Sequence, residues 1–281
     1  SGAEQNFTAN FAWAARWKDE RLAHEGPGSK TVSLDEIWNP RLQFINQQRL
    51  QKTFPEKALV SPQGEVRAVQ RVWGQFTQPL ILHDFPYDRQ RMNIDLIGTM
   101  HEPGTVVFVQ DPDYPSNVSD SLSVSDWTLK SWTAEPVEHF ISGTDRSNPG
   151  FNLSLNVTRR HRYHLVNIIL PLLMIIGMSW VVFFIHPKNA NPRISVSVTS
   201  MLTLIAYRFA VGASLPKIGY LTRMDWFILG ASVLVLASLL EVVATSYLAE
   251  NNKVDLAVKL NRRSRVVAPL ALALITWFSL M

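Results

Sequence analysis

The sequence contains no cysteine. That absence excludes a disulfide framework, thiolate metal sites and a cysteine nucleophile. The net charge of +4 is mild and no block of Lys and Arg is interleaved with aromatic residues, so nucleic-acid binding has little support. Charge is also scarce between residues 163 and 248, where the charged side chains are Lys188, Arg193, Arg208, Lys217, Arg223, Asp225 and Glu241. A uniform globular protein does not segregate charge in this way.

Long apolar runs occupy this charge-poor part of the chain. About 20 apolar residues are needed to cross the hydrocarbon core of a bilayer. The run 165–185 carries no charge, and 226–248 is interrupted only by Glu241. The run 266–281 is slightly short, and 194–215 is weaker because it is rich in Ser and Thr and contains Arg208. We therefore predict four transmembrane helices, at about 163–185, 193–215, 226–248 and 264–281.

Basic residues in the short links predict the orientation of these helices. Lys188 and Arg193 lie in the first link, and 249–265 holds five basic residues against Glu250 and Asp255. Both links are predicted to be cytoplasmic, which places the N-terminal part outside. Three basic residues, at positions 159, 160 and 162, lie on the predicted outer side, against the rule that basic residues stay in the cytoplasm. Long exported domains are often translocated regardless of such charges.

Residues 1–162 are predicted to form an all-β sandwich. Short stretches rich in β-branched and aromatic residues, several of them alternating, are separated by turn signals, at 7–17, 64–76, 92–97, 105–109, 122–133 and 151–158. No stretch shows a long helical period. Most Trp side chains are expected in the core, among them Trp38, Trp73, Trp127 and Trp132.

One segment carries a specific motif. Residues 83–90 read HDFPYDRQ, and Phe85, Pro86, Tyr87 and Asp88 resemble the aromatic-Pro-aromatic-Asp loop of the Cys-loop receptor family. Gln78 and Met92 stand where animal members have the bracketing cysteines, a departure typical of the prokaryotic branch. The segments 36–46 and 215–225, and Arg159 with Asn167 and Pro171, also resemble family segments, in the family's order.

The resemblance implies a fold and an assembly. It implies an extracellular immunoglobulin-like β-sandwich over 1–162 and a four-helix transmembrane bundle over 163–281. The expected assembly is a homopentameric ligand- or proton-gated ion channel of the bacterial inner membrane. Its expected partners are four identical subunits, the lipid bilayer, an agonist and permeant monovalent ions, with no cofactor. Family members usually have one more strand before residue 1, so either this first strand is missing from the sequence or the chain is atypical.

The Ser/Thr-rich helix presents one regular face. Residues at intervals of three and four share a helical face, and this set is Ser195, Thr199, Leu202, Ala206, Phe209 and Ala213. The resemblance implies that they line the pore, with rings of Leu202 and Phe209 forming constrictions that gate by dewetting. The alternative is that Ser and Thr only pack against neighbouring helices, as they often do in membranes.

The resemblance also places a coupling element between the domains. Asp88 and Arg159 are expected to form a bidentate bridge, with Phe85, Pro86 and Tyr87, facing the linker around Pro216. The alternative is an ordinary surface ion pair, worth about 0–1 kcal/mol.

The sequence contains fewer signals for the agonist pocket and for the ion selectivity of the channel. Relatives use an aromatic cage suited to a cation, but the match here is poor and leaves Phe140, Trp13, Thr99 and His101 as candidates. Seven histidines make proton sensitivity a second hypothesis. The stretch 189–192 has no acid, so the expectation of cation permeability rests on the prokaryotic branch alone.

Two other function classes have less support in the sequence. An enzyme is disfavoured because the sequence has no nucleophile elbow, phosphate loop or metal-ligand cluster. A membrane-tethered sensor that does not conduct needs no one-sided hydroxyl face. An anion-selective member of the same family is the remaining alternative.

Overall fold

The computed structural model describes residues 5–99, 104–119, 126–140, 147–214 and 218–280. These residues form two compact units. One comprises Ser1–Leu80 with Arg89–Thr158, and the other comprises Ile81–Asp88 with Arg159–Met281. The motif segment therefore belongs to the unit that contains the helices, although it lies between two strands of the first unit in the sequence.

The first unit consists of two β-sheets. One has the order β1-β6-β5-β2, with β4 also paired to β6, and the other has the order β3-β7-β9-β8. β1 and β6 pair antiparallel along their whole lengths. The strands are β1 Asn6–Lys18, β2 Lys30–Ser33, β3 Leu42–Phe44, β4 Gln47–Lys52, β5 Lys57–Val60, β6 Glu65–Thr77, β7 Arg89–Gly98, β8 Trp127–Phe140 and β9 Ser147–Arg159.

Side chains from both sheets meet in a shared core. Val72 and Phe76 of β6 pack with Phe44 of β3 and Ile94 of β7, and all four are buried. Alternate residues of β6 point into this core, as the period of two in a strand requires. The predicted β-sandwich is confirmed.

Two expectations about this unit are wrong. Residues 104–119 contain no strand. Val107 and Val109 are 75% and 74% exposed, so these β-branched side chains have no half-buried sheet surface to pack on. Trp38 and Trp73 do not lie in the core of this unit, since they are 40% and 44% exposed. Trp73 occupies an outward position of β6, one residue out of phase with the buried set.

The second unit contains four helices, α1 Arg162–Phe184, α2 Ala190–Ser214, α3 Arg223–Glu250 and α4 Val254–Leu280. Within the described ranges, α1, α2 and α3 are long and apolar enough to cross a membrane. α4 begins with a charged segment and does not meet that criterion, so the fourth span stays a prediction. A strong start signal opens α3, where Thr222 and Asp225 cap each other reciprocally.

Candidate functional site

The segment 81–88 is a compact loop. It contains a cis peptide bond between Phe85 and Pro86. Two backbone bonds close it, from the Phe85 N–H to the Leu82 carbonyl at 3.0 Å and from the Tyr87 N–H to the Asp84 carbonyl at 2.7 Å. Leu82 and Phe85 are buried. The loop is therefore anchored by its own apolar side chains rather than by covalent links.

The last residue of this loop binds the end of β9. The Arg159 guanidinium donates from Nε to Asp88 Oδ1 at 2.6 Å and from Nη2 to Oδ2 at 3.1 Å. The Asp88 carbonyl also accepts from the Arg159 N–H at 3.2 Å. The side chains are only 1% and 10% exposed for Asp88 and Arg159. A bidentate, buried ion pair of this kind has a more sharply defined geometry than a surface ion pair. The loss of one of its partners also costs more free energy of folding.

Ring contacts extend the loop towards the start of α1. The Arg159 guanidinium lies 5.0 Å from the Phe85 ring centroid. Phe85 also meets His164 edge-on at 4.9 Å, and Tyr87 lies 5.0 Å from His161. The loop thus contacts the residues that lead from β9 into the first membrane helix.

The same loop also binds the residues that lead into α3. The Leu82 N–H donates to the Tyr220 hydroxyl at 2.9 Å, and the His83 ring stacks on Tyr220 at 4.0 Å. The His83 carbonyl accepts from the Arg223 N–H at 2.9 Å, and Arg223 pairs with Asp84 at 2.8 Å. Pro216 lies outside the described residues. One loop therefore contacts the entrances of two helices.

Tyr220→Phe tests the contact with the α3 entrance. We expect the variant to lose about 1–3 kcal/mol of stability, because the buried Leu82 N–H loses the hydroxyl that accepts from it. Thermal unfolding of the purified protein would measure the loss. Tyr247→Phe is the matched control, since Tyr247 is 66% exposed. Equal melting temperatures for the two variants would contradict the assigned role of Tyr220.

The helix α2 has two opposite faces. Within this subunit Arg193, Ser197, Ser200, Leu204 and Val211 form a buried stripe. The six residues predicted to line the pore are all exposed, with Leu202 at 62% and Phe209 at 78%. At about 100° per residue the centre of this face lies roughly 180° from the buried stripe. The face expected to point at a pore is thus the one that the subunit itself leaves uncovered.

Two exposed hydroxyl groups of α2 share a common hydrogen-bond pattern. Thr199 donates its proton to the Ser195 carbonyl at 2.8 Å, and Thr203 donates to the Thr199 carbonyl at 2.8 Å. Because the proton of each hydroxyl is engaged with the backbone, its lone pairs remain as acceptors. On the predicted pore face Thr199 therefore offers an oxygen acceptor, whereas Leu202 and Phe209 offer none.

Family comparisons match these two units. The description "Neurotransmitter-gated ion-channel ligand binding domain" matches residues 1–161, and "Neurotransmitter-gated ion-channel transmembrane region" matches residues 168–276. This chain belongs to the neurotransmitter-gated ion-channel family. The predicted membership of the pentameric ligand-gated channels is thereby confirmed. Members of this family are channels rather than enzymes, which confirms the prediction against an enzyme.

Relatives of this neurotransmitter-gated channel subunit come from bacteria and animals. It is 27% identical over 96% of its length to a proton-gated ion channel of Gloeobacter violaceus, of which it spans 76%. It is 27% identical over 97% of its length to the human gamma-aminobutyric acid receptor subunit rho-3 and 26% identical over 95% to the rat one. The chain spans about three fifths of the length of these two animal subunits.

Three of the residues predicted to bind the agonist are described, and each lies in a different environment. Trp13 packs on the core cluster of the sandwich, and Phe140 is 69% exposed. Thr99 bonds the Arg41 carbonyl through its hydroxyl at 3.1 Å. His101 lies outside the described residues. Within the described part of the chain, no group of three or more His, Asp or Glu side chains could hold a metal ion.

Sequence reasoning missed one feature of the channel subunit. Arg193 is fully buried and pairs with Glu241 at 3.1 Å, across α2 and α3. The two residues are 48 positions apart, so no local spacing links them. A charge inside an apolar segment needs a partner, and that rule applied to both residues was the signal that could have found the pair.

Proposed function

We propose that five copies of this chain form a homopentameric ion channel whose pore is lined by α2. The supporting observation is the pair of opposite faces on this helix. Its buried stripe packs within the subunit, and its exposed face carries the predicted pore-lining set. A helix that only anchored the chain in lipid would not need hydroxyl groups on the face its own subunit leaves uncovered.

Leu202 and Phe209 form the proposed gate. Both are among the most exposed apolar side chains of α2, at 62% and 78%, and they lie seven residues, about two turns, apart on one face. Five copies around an axis would make two apolar rings. A narrow apolar ring excludes water, and ions with it, until the rings move apart.

Cations are the proposed permeant ions. The Thr199 hydroxyl on the proposed pore face presents an oxygen acceptor, which suits a cation, because its proton is bonded to the Ser195 carbonyl. The basic residue nearest the inner end, Arg193, is turned into the bundle and paired with Glu241. The competing proposal is an anion-selective channel, and substitution of sodium or chloride in the bath decides between them.

The loop 81–88 is the proposed coupling element. Its bonds to Arg159, Tyr220 and Arg223 connect the exit of β9 with the entrance of α3. A ligand can shift the gate only by favouring one of two arrangements of such an element. We assign 1–162 to the extracellular side and 163–281 to the bacterial inner membrane, with a small molecule or a proton as agonist.

Single-channel recording from purified protein in planar bilayers tests the proposal. We expect discrete current steps when agonists or pH steps are applied, because protons gate a bacterial relative. Cross-linking should stop at five subunits. Silence under every agonist and pH, with an intact pentamer, would favour a sensor that does not conduct. A different subunit number would overturn the assembly.

A further inference from the structure

Arg193 sits at the meeting point of four helices. Its Nε donates to the Val182 carbonyl of α1 at 3.3 Å and its Nη1 to the Thr245 hydroxyl of α3 at 2.8 Å. Its Nη2 donates to Glu241 at 3.1 Å and to the Asn261 amide oxygen of α4 at 2.9 Å. The guanidinium is 0% exposed. The guanidinium is therefore shielded from water, and only protein groups compensate its charge.

Glu241 supplies the counter-charge. It is the carboxylate that pairs with Arg193 among the described residues, and its side chain is 10% exposed. The sequence of α2 contains no acidic residue. The charge balance of the bundle beside the inner end of the pore face therefore depends on one acid on the neighbouring helix. Ser195, the first residue of that face, is only two positions from Arg193.

We propose that Glu241 determines ion selectivity by neutralising Arg193 behind the inner mouth of the pore. This inference rests on the proposed channel function. A guanidinium stays protonated, so the loss of Glu241 would leave five uncompensated positive charges around the mouth. Across a helix diameter of about 10 Å, one such charge repels a permeating cation by about 0.4 kcal/mol even in water. That is about a twofold fall in the concentration of cations at the mouth for each charge.

Reversal potentials of Glu241→Gln channels test this inference. With a sodium chloride gradient across the bilayer, we expect the chloride-to-sodium permeability ratio to rise about twofold or more relative to the wild type. The double variant Glu241→Gln with Asn261→Asp moves the carboxylate to α4, where the residue at 261 meets the same Nη2 atom. This double variant should return the ratio to the wild-type value.

Two controls separate charge from structural damage. Thr245→Val removes a bond to Arg193 without changing any charge, and Glu250→Gln removes an exposed acid from the end of the same helix. Neither should move the ratio. If Glu241→Gln does not assemble, Asn261→Asp alone tests the inference. Its added acid should lower the chloride-to-sodium permeability ratio.

The outcomes distinguish this inference from the channel proposal. A conducting wild type with an unchanged ratio in Glu241→Gln, or an equal shift in Thr245→Val, overturns the role of Glu241 alone. An unchanged ratio in Asn261→Asp, where only that variant assembles, does the same. A wild type that passes no current overturns both proposals.

Discussion

Leu202→Ser is expected to leave the channel conducting without agonist. The Leu202 side chain is 62% exposed on the uncovered face of α2, and the substitution places a hydroxyl where five apolar side chains would keep water out. Burying one leucine is worth about 1.5–3 kcal/mol. If the closed state loses this free energy from even one subunit, the equilibrium between closed and open states shifts by about tenfold or more. Resting current in bilayers, without agonist, measures the effect.

Leu240→Ser is the matched control for this prediction. Leu240 is 60% exposed on α3, so the same change at nearly the same exposure lies outside the proposed pore face. We expect no resting current from that variant. If both variants leak equally, the leak reflects a loosened bundle. If Leu202→Ser stays closed at rest, the residue is not part of the barrier.

Asp88→Asn and Arg159→Gln should each abolish agonist-evoked current while the subunits still reach the membrane. Each change removes one partner of a buried, two-pronged pair. Breaking such a pair leaves the other charge without its counter-ion and costs about 3–5 kcal/mol. The loop 81–88 would then lose its rigid link to the end of β9. Surface labelling counts the subunits, and whole-cell current measures gating.

Asp35→Asn serves as the control for the broken bridge. Asp35 pairs with Arg41 at 3.5 Å, and both side chains are largely exposed, at 71% and 48%. A pair of this kind contributes about 0–1 kcal/mol, so current and surface density should match the wild type. Normal agonist responses from Asp88→Asn or Arg159→Gln would show that the bridge is structural and not part of the coupling.

Local patterns predicted much of the fold correctly. Alternation at 64–76 predicted the long strand that became β6 Glu65–Thr77, because one face of that strand is buried in the core. Period alone could not identify the loop at 104–119. Its β-branched residues look like a strand, but Val107 and Val109 are 75% and 74% exposed. Whether a sheet face lies beside such residues depends on tertiary packing, which leaves no local signal.

Charge content and a period of three to four residues were enough to predict that part of the chain belongs in a membrane and which face of α2 carries hydroxyls. The partners of the buried charges could be identified only after folding had brought distant residues together. It brought Asp88 to Arg159 across 71 positions and Arg193 to Glu241 across 48. A desolvated charge is stabilised by whichever group the fold brings beside it, and that proximity depends on packing rather than on spacing along the chain.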